Sequence, residues 1–447
     1  MSLHDSPLEY DEYRLVLVRL NSRGTWAEFR GVAVGLPRVA IQPWARAAEQ
    51  AQRAIQDTWR ISAILLDILP GGENRAPCAV AEIPSNQSPQ GLISIGIDEL
   101  PETEIAAPER VVIEEILAGN PGSRGPFSRA GWIEEAKAWL CAEAGHSVAL
   151  SGEICQYNAT GKFALVRFGT RSGPAYWLKG TGEPNAHEFQ ITRKLAELCP
   201  DSLPTQIAAR DDWNAWLMED GGRPADTWNA PQLGQAVLSM AEIQKSTVGC
   251  CHEFLAAGAA DQSVDVLRGS LVEVIEYLDE VMVKQTSTRA PRVERRRLWE
   301  IAATLEDACF RMEALRIPDT LIHNDLNSGN ILFRDGSCVF TDWCESCVGN
   351  PFFAFQYLCL LQPSGASDWR PELRMFYRKS WLNLLPSSNI DAAFALSPLL
   401  AIFSHLYGRG RWLHSSRRSN AQVEAYARSL ARHMDRAAQD PLLMEAL

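Results

Sequence analysis

The most informative part of the chain is the segment Leu321-Ile-His-Asn-Asp-Leu-Asn-Ser-Gly-Asn-Ile-Leu-Phe-Arg-Asp-Gly-Ser-Cys-Val-Phe-Thr-Asp-Trp343. At its centre, Asp335-Gly336 is the favoured dipeptide of a two-residue β-hairpin turn. Strand-like runs at 331–334 and 337–341 flank this turn. The segment therefore predicts an antiparallel hairpin with a polar open end.

The register of this hairpin follows from its turn. We expect Arg334 to face Ser337 across the two turn residues. Asn330 then faces Thr341, and Asp342 comes directly after it. The open end of the hairpin therefore carries an amide oxygen and a carboxylate, which suit Mg²⁺ as hard oxygen ligands.

Asp325 lies in the loop that enters the hairpin, five residues before Asn330. Its carboxylate could hold a substrate hydroxyl next to a metal-bound phosphate. The alternative is a structural hairpin with polar ends, because Asp and Asn are common at turns. The combined spacing of the three residues favours a chemical site over that alternative.

The pattern His323-x-Asp325-x-x-x-x-Asn330, followed by Asp342-Trp343, resembles the catalytic and metal-binding loops of aminoglycoside phosphotransferase-like kinases. That superfamily also contains choline kinases. The resemblance implies that Asp325 is the catalytic base and that Asn330 and Asp342 bind Mg²⁺. It implies a structural role for His323, which would support the loop.

The fold class implied by the resemblance is α+β. It is the bilobal protein-kinase-like fold, with a β-rich N-lobe at 127–220 and a mainly helical C-lobe at 221–447. A small α+β domain at 1–120 precedes it. The boundary is predicted at 118–126, because three glycines and two prolines in nine residues cannot continue a helix or a central strand.

Secondary structure before this boundary is predicted as strands at 13–20, 31–36, 61–69 and 78–83 and helices at 45–59 and 108–117. The outline is loosely similar to a Nudix hydrolase. The predicted helix, however, offers only Glu49 and Asp57 and lacks the metal-binding cluster of that family. We therefore expect a docking or regulatory domain without Nudix chemistry.

The N-lobe should supply a strand lysine and a helix glutamate. Lys179 ends a strand-like run at 175–179, and Glu188 opens a predicted helix at 185–198. The resemblance implies that Lys179 contacts the α- and β-phosphates of ATP and that Glu188 holds it by an ion pair. The alternative is a surface lysine and a first-turn glutamate favoured by the helix dipole.

The other nucleotide-binding segments match less closely. Backbone groups between Met218 and Asp220, in the hinge between the lobes, would pair with adenine. The phosphate-covering loop, at 156–161, offers one glycine instead of a glycine-rich motif. Asn350 stands where the family usually has an aspartate, in a segment that is mainly structural in the family.

The composition of the chain limits the expected partners and cellular location. The 447 residues carry a formal charge of −12, so nucleic acid is an improbable partner through bulk charge. The most apolar run, at 393–403, is broken by Ser397 and Pro398 and falls short of the ~18 residues of a membrane span. The 11 cysteines show no dense framework, which favours a reduced, cytoplasmic protein.

The sequence therefore predicts an ATP- and Mg²⁺-dependent phosphotransferase that acts on a hydroxyl of a small molecule, such as an amino sugar, an amino alcohol or a sugar. A non-catalytic nucleotide-binding or scaffold protein of kinase-like fold is the first alternative. Transfer of AMP to a protein is the second. The sequence leaves the acceptor, the role of residues 1–120 and the oligomeric state open.

Overall fold

The computed structural model describes residues 10–30, 33–42, 46–72, 75–119, 122–145, 148–334, 336–408 and 420–447. Contacts divide the chain into two compact units. The first consists of Met1–Phe189 and Thr205–Asp220, and the second of Gln190–Pro204 and Gly221–Leu447. The first unit is rich in strands and the second is mainly helical, so the expected α+β class is confirmed.

The described residues of the first unit form fifteen α-helices and β-strands. The first two residues of a further helix, α4, also belong to this unit. The fifteen elements are β1 (Asp11–Val18), β2 (Gly24–Arg30), β3 (Ala33–Gly35), β4 (Arg38–Ile41), α1 (Ala47–Trp59), β5 (Ile64–Leu69), β6 (Cys78–Glu82), β7 (Ile93–Gly96), α2 (Ala107–Leu117), α3 (Trp132–Glu143), β8 (Leu150–Thr160), β9 (Phe163–Thr170), β10 (Tyr176–Gly180) and, after α4 (Glu188–Leu198), β11 (Gln206–Arg210) and β12 (Ala215–Glu219).

Three sheets organise these strands. One has the order β4-β1-β6-β5, with β1 and β6 parallel, and a second has the order β3-β2-β7. The third is antiparallel, in the order β11-β12-β10-β9-β8. Helix α1 buries Ala48, Ala51, Ile55 and Trp59, whose spacing of three or four residues places them on one face.

One hydrophobic core spans the predicted boundary at 118–126. It contains Val16 and Val80 from before the boundary, and Phe127 and Val166 from after it. The separation of residues 1–120 from 127–220 as independent domains stays a prediction, but packing joins their described residues in one unit. Residues 120–121 of the boundary lie outside the described residues.

Buried polar bonds reinforce this shared core. Gln156 of β8 accepts the N–H of Leu65 with its side-chain oxygen and donates its side-chain N–H to the Leu65 carbonyl, both over 2.8 Å. The Asp67 carboxylate accepts bonds from Arg124 Nε (2.6 Å) and the Ser128 hydroxyl (2.8 Å). Because these groups are removed from water, each bond is costly to break.

The second unit contains α4 from Gln190 onwards and the elements that follow Gly221. These are β13 (Arg223–Pro224), α5 (Ala230–Thr247), α6 (Cys251–Ala256), β14 (Ala260–Gln262), α7 (Val264–Gly269), α8 (Leu271–Val283), α9 (Arg295–Ala314), β15 (Thr320–Ile322), β16 (Ile331–Arg334), β17 (Ser337–Phe340), β18 (Cys347–Gly349), α10 (Phe352–Cys359), α11 (Arg370–Trp381), α12 (Ser387–Gly408), α13 (Ala421–Ala437) and α14 (Pro441–Ala446).

Two small sheets interrupt these helices, in the orders β13-β16-β17 and β14-β18-β15. The predicted hairpin is present as β16 and β17, with Arg334 opposite Ser337. Gly336 has φ +81°, as a tight turn requires, whereas Asp335 lies outside the described residues. Strands β13, β14 and β18 lie outside this hairpin and were not predicted from the sequence.

The apolar run that contains Ser397 and Pro398 lies in one continuous helix. Helix α12 runs through both residues, and the Ser397 hydroxyl donates to the carbonyl of Ala393. By length and composition alone this helix could cross a membrane, with a mean hydropathy of 1.4 in its most apolar window. However, 61% of that window is buried inside the protein, as in the core helix of a globular unit.

Candidate active site

His323 anchors the loop that carries the predicted base. Its Nε2 lies 2.8 Å from the carbonyl oxygen of Thr341, and its Nδ1 accepts the N–H of Asp325 over 3.3 Å. Because a carbonyl only accepts, Nε2 carries the proton in this arrangement. The ring is buried, with its centroid 4.5 Å from that of Trp343. The structural role expected for His323 is consistent with these contacts.

Asp325 and Asn330 are directly joined. The side-chain Nδ2 of Asn330 donates to the Asp325 carboxylate oxygen Oδ2 (3.1 Å) and to the Asp325 carbonyl (2.9 Å). Asn327 also donates to Oδ2 over 3.1 Å. The spacing of Asp325 and Asn330 indicated their proximity, but no sequence pattern indicated the part played by Asn327.

The hairpin places Asn330 and Asp342 as its register predicted. The N–H of Thr341 donates to the carbonyl of Asn330 over 2.9 Å, which continues the pairing of β16 and β17 by one residue. Asp342, the next residue, has φ +66°. Left-handed backbone is uncommon outside glycine, and such residues cluster at functional sites.

The donor chemistry of this hairpin end fits Mg²⁺. Because Nδ2 of Asn330 donates to Asp325, the amide atom that could bind a metal is the oxygen Oδ1. That oxygen is a neutral donor, and the carboxylate of Asp342 is an anionic one. Both are hard oxygen ligands of the kind that Mg²⁺ binds together with waters and substrate phosphates. The assignment of Asn330 and Asp342 as metal ligands stays a prediction, and the oxygen donors of both residues fit Mg²⁺.

Lys179 and Glu188 form the ion pair that the sequence predicted. Nζ of Lys179 lies 2.5 Å from Oε1 of Glu188, and their side chains are 15% and 2% exposed. Lys179 sits on β10 opposite Trp216 of β12, with Nζ 5.8 Å from the centre of the indole. The sequence analysis did not single out Trp216, because its proximity to Lys179 depends on the strand register.

The hinge residues already make packing contacts and backbone hydrogen bonds within the first unit. Met218 is buried beside Phe189 and Trp216. The N–H of Glu219 donates to the carbonyl of Thr205, and the N–H of Asp220 donates to the carbonyl of Ala175. Adenine would therefore have to pair with other backbone groups of this segment. The adenine-binding role of Met218 and Asp220 stays a prediction.

The predicted phosphate-covering loop is the end of β8 and the turn after it. A Cβ on Gly161 would lie 2.2 Å from the carbonyl oxygen of Arg124, so only glycine fits this close approach. The carbonyl of Gly161 also accepts the N–H of Phe127 over 3.1 Å. These contacts account for the single glycine of the loop by packing within the first unit.

Asn350, which replaces the expected aspartate, has a structural role. It is buried, and its Oδ1 accepts the N–H of Phe352, the first residue of α10, over 3.1 Å. An aspartate could accept the same bond, so the replacement keeps this helix terminus satisfied. Nothing in this arrangement involves Asn350 in the loop around Asp325.

Residues 233–385 match the family described as "Phosphotransferase enzyme family". This chain resembles a phosphotransferase. The matched segment includes His323, Asp325, Asn330 and Asp342, so the predicted resemblance is confirmed over these residues. No curated protein matches the chain.

Solved structures of small-molecule kinases and phosphotransferases are also similar to this chain. The choline kinase from Cryptosporidium parvum Iowa II has 13% identity and a TM-score of 0.47, covering 70% of this chain and 98% of its own. The choline/ethanolamine kinase family protein from Mesorhizobium loti has 12% identity and a TM-score of 0.45, covering 70% and 97%. The aminoglycoside phosphotransferase from Alicyclobacillus acidocaldarius has 14% identity and a TM-score of 0.42, covering 68% and 95%.

Proposed function

We propose that this chain is an ATP- and Mg²⁺-dependent phosphotransferase that moves the γ-phosphoryl group of ATP to a hydroxyl of a small molecule. An amino sugar, an amino alcohol or a sugar would be the acceptor. The observation that carries the proposal is the bonded pair Asp325–Asn330, held by His323 at the end of a hairpin that continues into Asp342. A cytoplasmic location, where ATP is available, fits this activity.

Each group would have one task. Asp325 would orient the acceptor hydroxyl and accept its proton as the oxygen attacks the γ-phosphorus and the bond to the β-phosphate oxygen breaks, releasing ADP. Asn330 and Asp342 would hold Mg²⁺, which neutralises charge on the phosphate oxygens when bound. Lys179 would bind the α- and β-phosphates, and Glu188 would keep the ammonium in place.

A non-catalytic nucleotide-binding or scaffold role is the second candidate. Two observations favour it. The turn at Gly161 is packed against Arg124 and Phe127, and the N–H groups of Glu219 and Asp220 are bonded within the first unit. Against it, all five residues expected for the chemistry are present in the sequence.

Calorimetric titration with ATP, with and without Mg²⁺, tests the proposal. We expect Mg²⁺-dependent binding by the unsubstituted protein and loss of that dependence in Asp342→Ala. The matched control is Asp307→Ala, which removes an exposed carboxylate on α9 and should bind as the unsubstituted protein does. Absence of ATP binding by the folded, unsubstituted protein would contradict the proposed function. Binding without turnover in a screen of hydroxyl acceptors would favour the scaffold role.

A further inference from the structure

A cavity of about 820 Å³ lies within the first unit, and neither Lys179 nor Glu188 lines it. Its wall is formed by α1, α3, β5, β8 and the segment from Glu82 to Gln87. Its size is that of pockets that enclose small organic ligands. The phosphotransferase chemistry proposed above uses none of the residues that line it.

Glu82 is the most deeply buried acid of this wall. It ends β6 and is only 8% exposed. Its Oε2 accepts the N–H of Gly131 over 2.8 Å, and it forms no ion pair with any described residue. Burial raises the pKa of the carboxyl above its ordinary value, because desolvation disfavours the charged form. The nearby charges of Lys137 and Arg129 offset this rise in pKa only in part. A cationic ligand in direct contact with Glu82 would relieve the remaining cost of burying the carboxylate.

The cations of the wall are already paired. Arg53 Nη2 lies 3.3 Å from Glu49, and Lys137 Nζ lies 2.6 Å from Glu134. A further carboxylate, Glu153, also lines the cavity. Glu49 and Glu134 are the partners of these two cations, and Arg167 lies 3.8 Å from Glu153. Glu82 is therefore the one carboxylate of the wall that forms no ion pair with a described residue. This charge pattern disfavours an anionic ligand and favours a cationic one.

The remainder of the wall mixes amide and hydroxyl side chains with branched aliphatic ones. Ile64 of β5, Ile83 after β6, Ile133 of α3 and Ile154 of β8 all line the cavity. Hydrocarbon placed against these side chains would leave water at about 25 cal/mol per Å² buried. The cavity therefore combines one buried acid with branched aliphatic side chains.

We propose that this cavity binds a small organic ammonium ion, with the ammonium group at Glu82 and the hydrocarbon body against the isoleucines. The ligand supplies the direct ion-pair partner that Glu82 lacks among the described residues, and the isoleucines supply apolar contact. This binding goes beyond the proposed function and is independent of ATP.

The test uses full-length protein with ¹³C-labelled isoleucine δ1-methyl groups, observed by NMR. Hexylammonium is the probe, and hexanol and hexanoate are the matched neutral and anionic compounds. We expect saturable shifts of the Ile64, Ile83, Ile133 and Ile154 methyl signals with hexylammonium up to about 10 mM, the range of weak fragment binding. Hexanol should produce much weaker shifts, and hexanoate none.

Glu82→Gln is the decisive variant, since the glutamine oxygen can still accept the N–H of Gly131 while the charge is lost. Its affinity for hexylammonium should fall about tenfold or more, the loss of roughly 1.4 kcal/mol. Glu143→Gln, an exposed change at the end of the same helix α3 that carries Ile133, is the control and should bind normally. An unchanged spectrum of unliganded Glu82→Gln verifies its fold. Equal responses to hexanol and hexylammonium, unaltered binding by Glu82→Gln, or no response of the four methyl groups would each overturn the proposal.

Discussion

The side-chain amide of Asn330 donates to the Asp325 carboxylate over 3.1 Å and to the Asp325 carbonyl over 2.9 Å. The first bond orients the carboxylate, and the second holds the backbone that carries it. Asn330 therefore positions Asp325 in addition to its proposed role as a metal ligand. The two residues act as one unit, so their substitutions should not be additive.

Asp325→Asn should lower turnover about 10²–10⁴-fold, because an amide cannot accept the acceptor's proton. ATP affinity should remain nearly intact, since Asp325 is not expected to contact the nucleotide. Release of ADP with an active acceptor and calorimetric titration with ATP measure the two effects. Asp307→Asn on α9 is the control for an exposed carboxylate. Turnover equal to that of the unsubstituted protein would exclude Asp325 as the base.

Lys179→Met should weaken ATP binding and also destabilise the first unit. Removing the ammonium leaves the buried Glu188 carboxylate without that cation, at a cost of about 3 kcal/mol. The double variant Lys179→Met/Glu188→Gln should recover most of the stability and none of the ATP affinity. Urea unfolding and calorimetric titration measure these effects.

The pair Lys194–Glu253 is the matched control for this experiment. Its atoms are also 2.5 Å apart, but both side chains are more exposed. Lys194→Met should change stability much less, because water screens an exposed pair. Equal destabilisation by the two lysine substitutions would argue against a special role for the buried pair.

Gln156→Ala should reduce the free energy of unfolding by about 2–4 kcal/mol, because it leaves the buried N–H and carbonyl of Leu65 without their side-chain partner. Urea denaturation measures the effect. Gln90→Ala, at an exposed position of the same unit, should have little effect. A neutral Gln156→Ala would show that the two bonds to Leu65 contribute little to the stability of the first unit.

Asp319 should make stability depend on pH. Burial, with a contribution from the Asp261 carboxylate, raises the pKa of Asp319 from 3.8 to about 6. The folded state therefore binds this proton more tightly than the unfolded state. The stability from this group is present below pH 4 and is lost as the pH rises to about 6. Asp319→Asn should raise the free energy of unfolding by about 2 kcal/mol at pH 7.5.

Urea unfolding of Asp319→Asn at pH 7.5 and pH 5 measures this dependence. The gain should shrink at pH 5, where the native carboxyl is largely protonated. Asp261→Asn removes only the smaller cause of the pKa shift and should give a smaller gain. A gain from Asp319→Asn that is the same at both pH values would contradict the assignment.

The sequence was most informative where one local rule determines the geometry. The turn at Gly336 sets the register of its hairpin, so the neighbours of Asn330 could be predicted. Strand β2 was missed because its buried face carries the small residues Thr25 and Ala27, while Phe29 is 66% exposed. Phe29 lies on the same face by alternation, so this strand has no series of large buried apolar residues that periodicity could reveal.

The contacts that could not be predicted depend on distant parts of the chain. The bonds between Gln156 and Leu65 and the cavity beside Glu82 arise from elements that are far apart in sequence. No local pattern encodes either arrangement. The continuation of α12 through Pro398 could not be predicted for the same reason. Burial of α12 stabilises a helix that its local sequence would interrupt.

The core that joins Val16 and Val80 to Val166 and Leu217 also affects how the protein is made. At a synthesis rate of about 5–20 residues per second, roughly 10–40 s separate the synthesis of Val16 from that of Leu217, about 200 residues later. During that interval the nascent chain exposes apolar surface. We expect ribosome-bound chains to resist proteolysis only after Leu217 has left the exit tunnel.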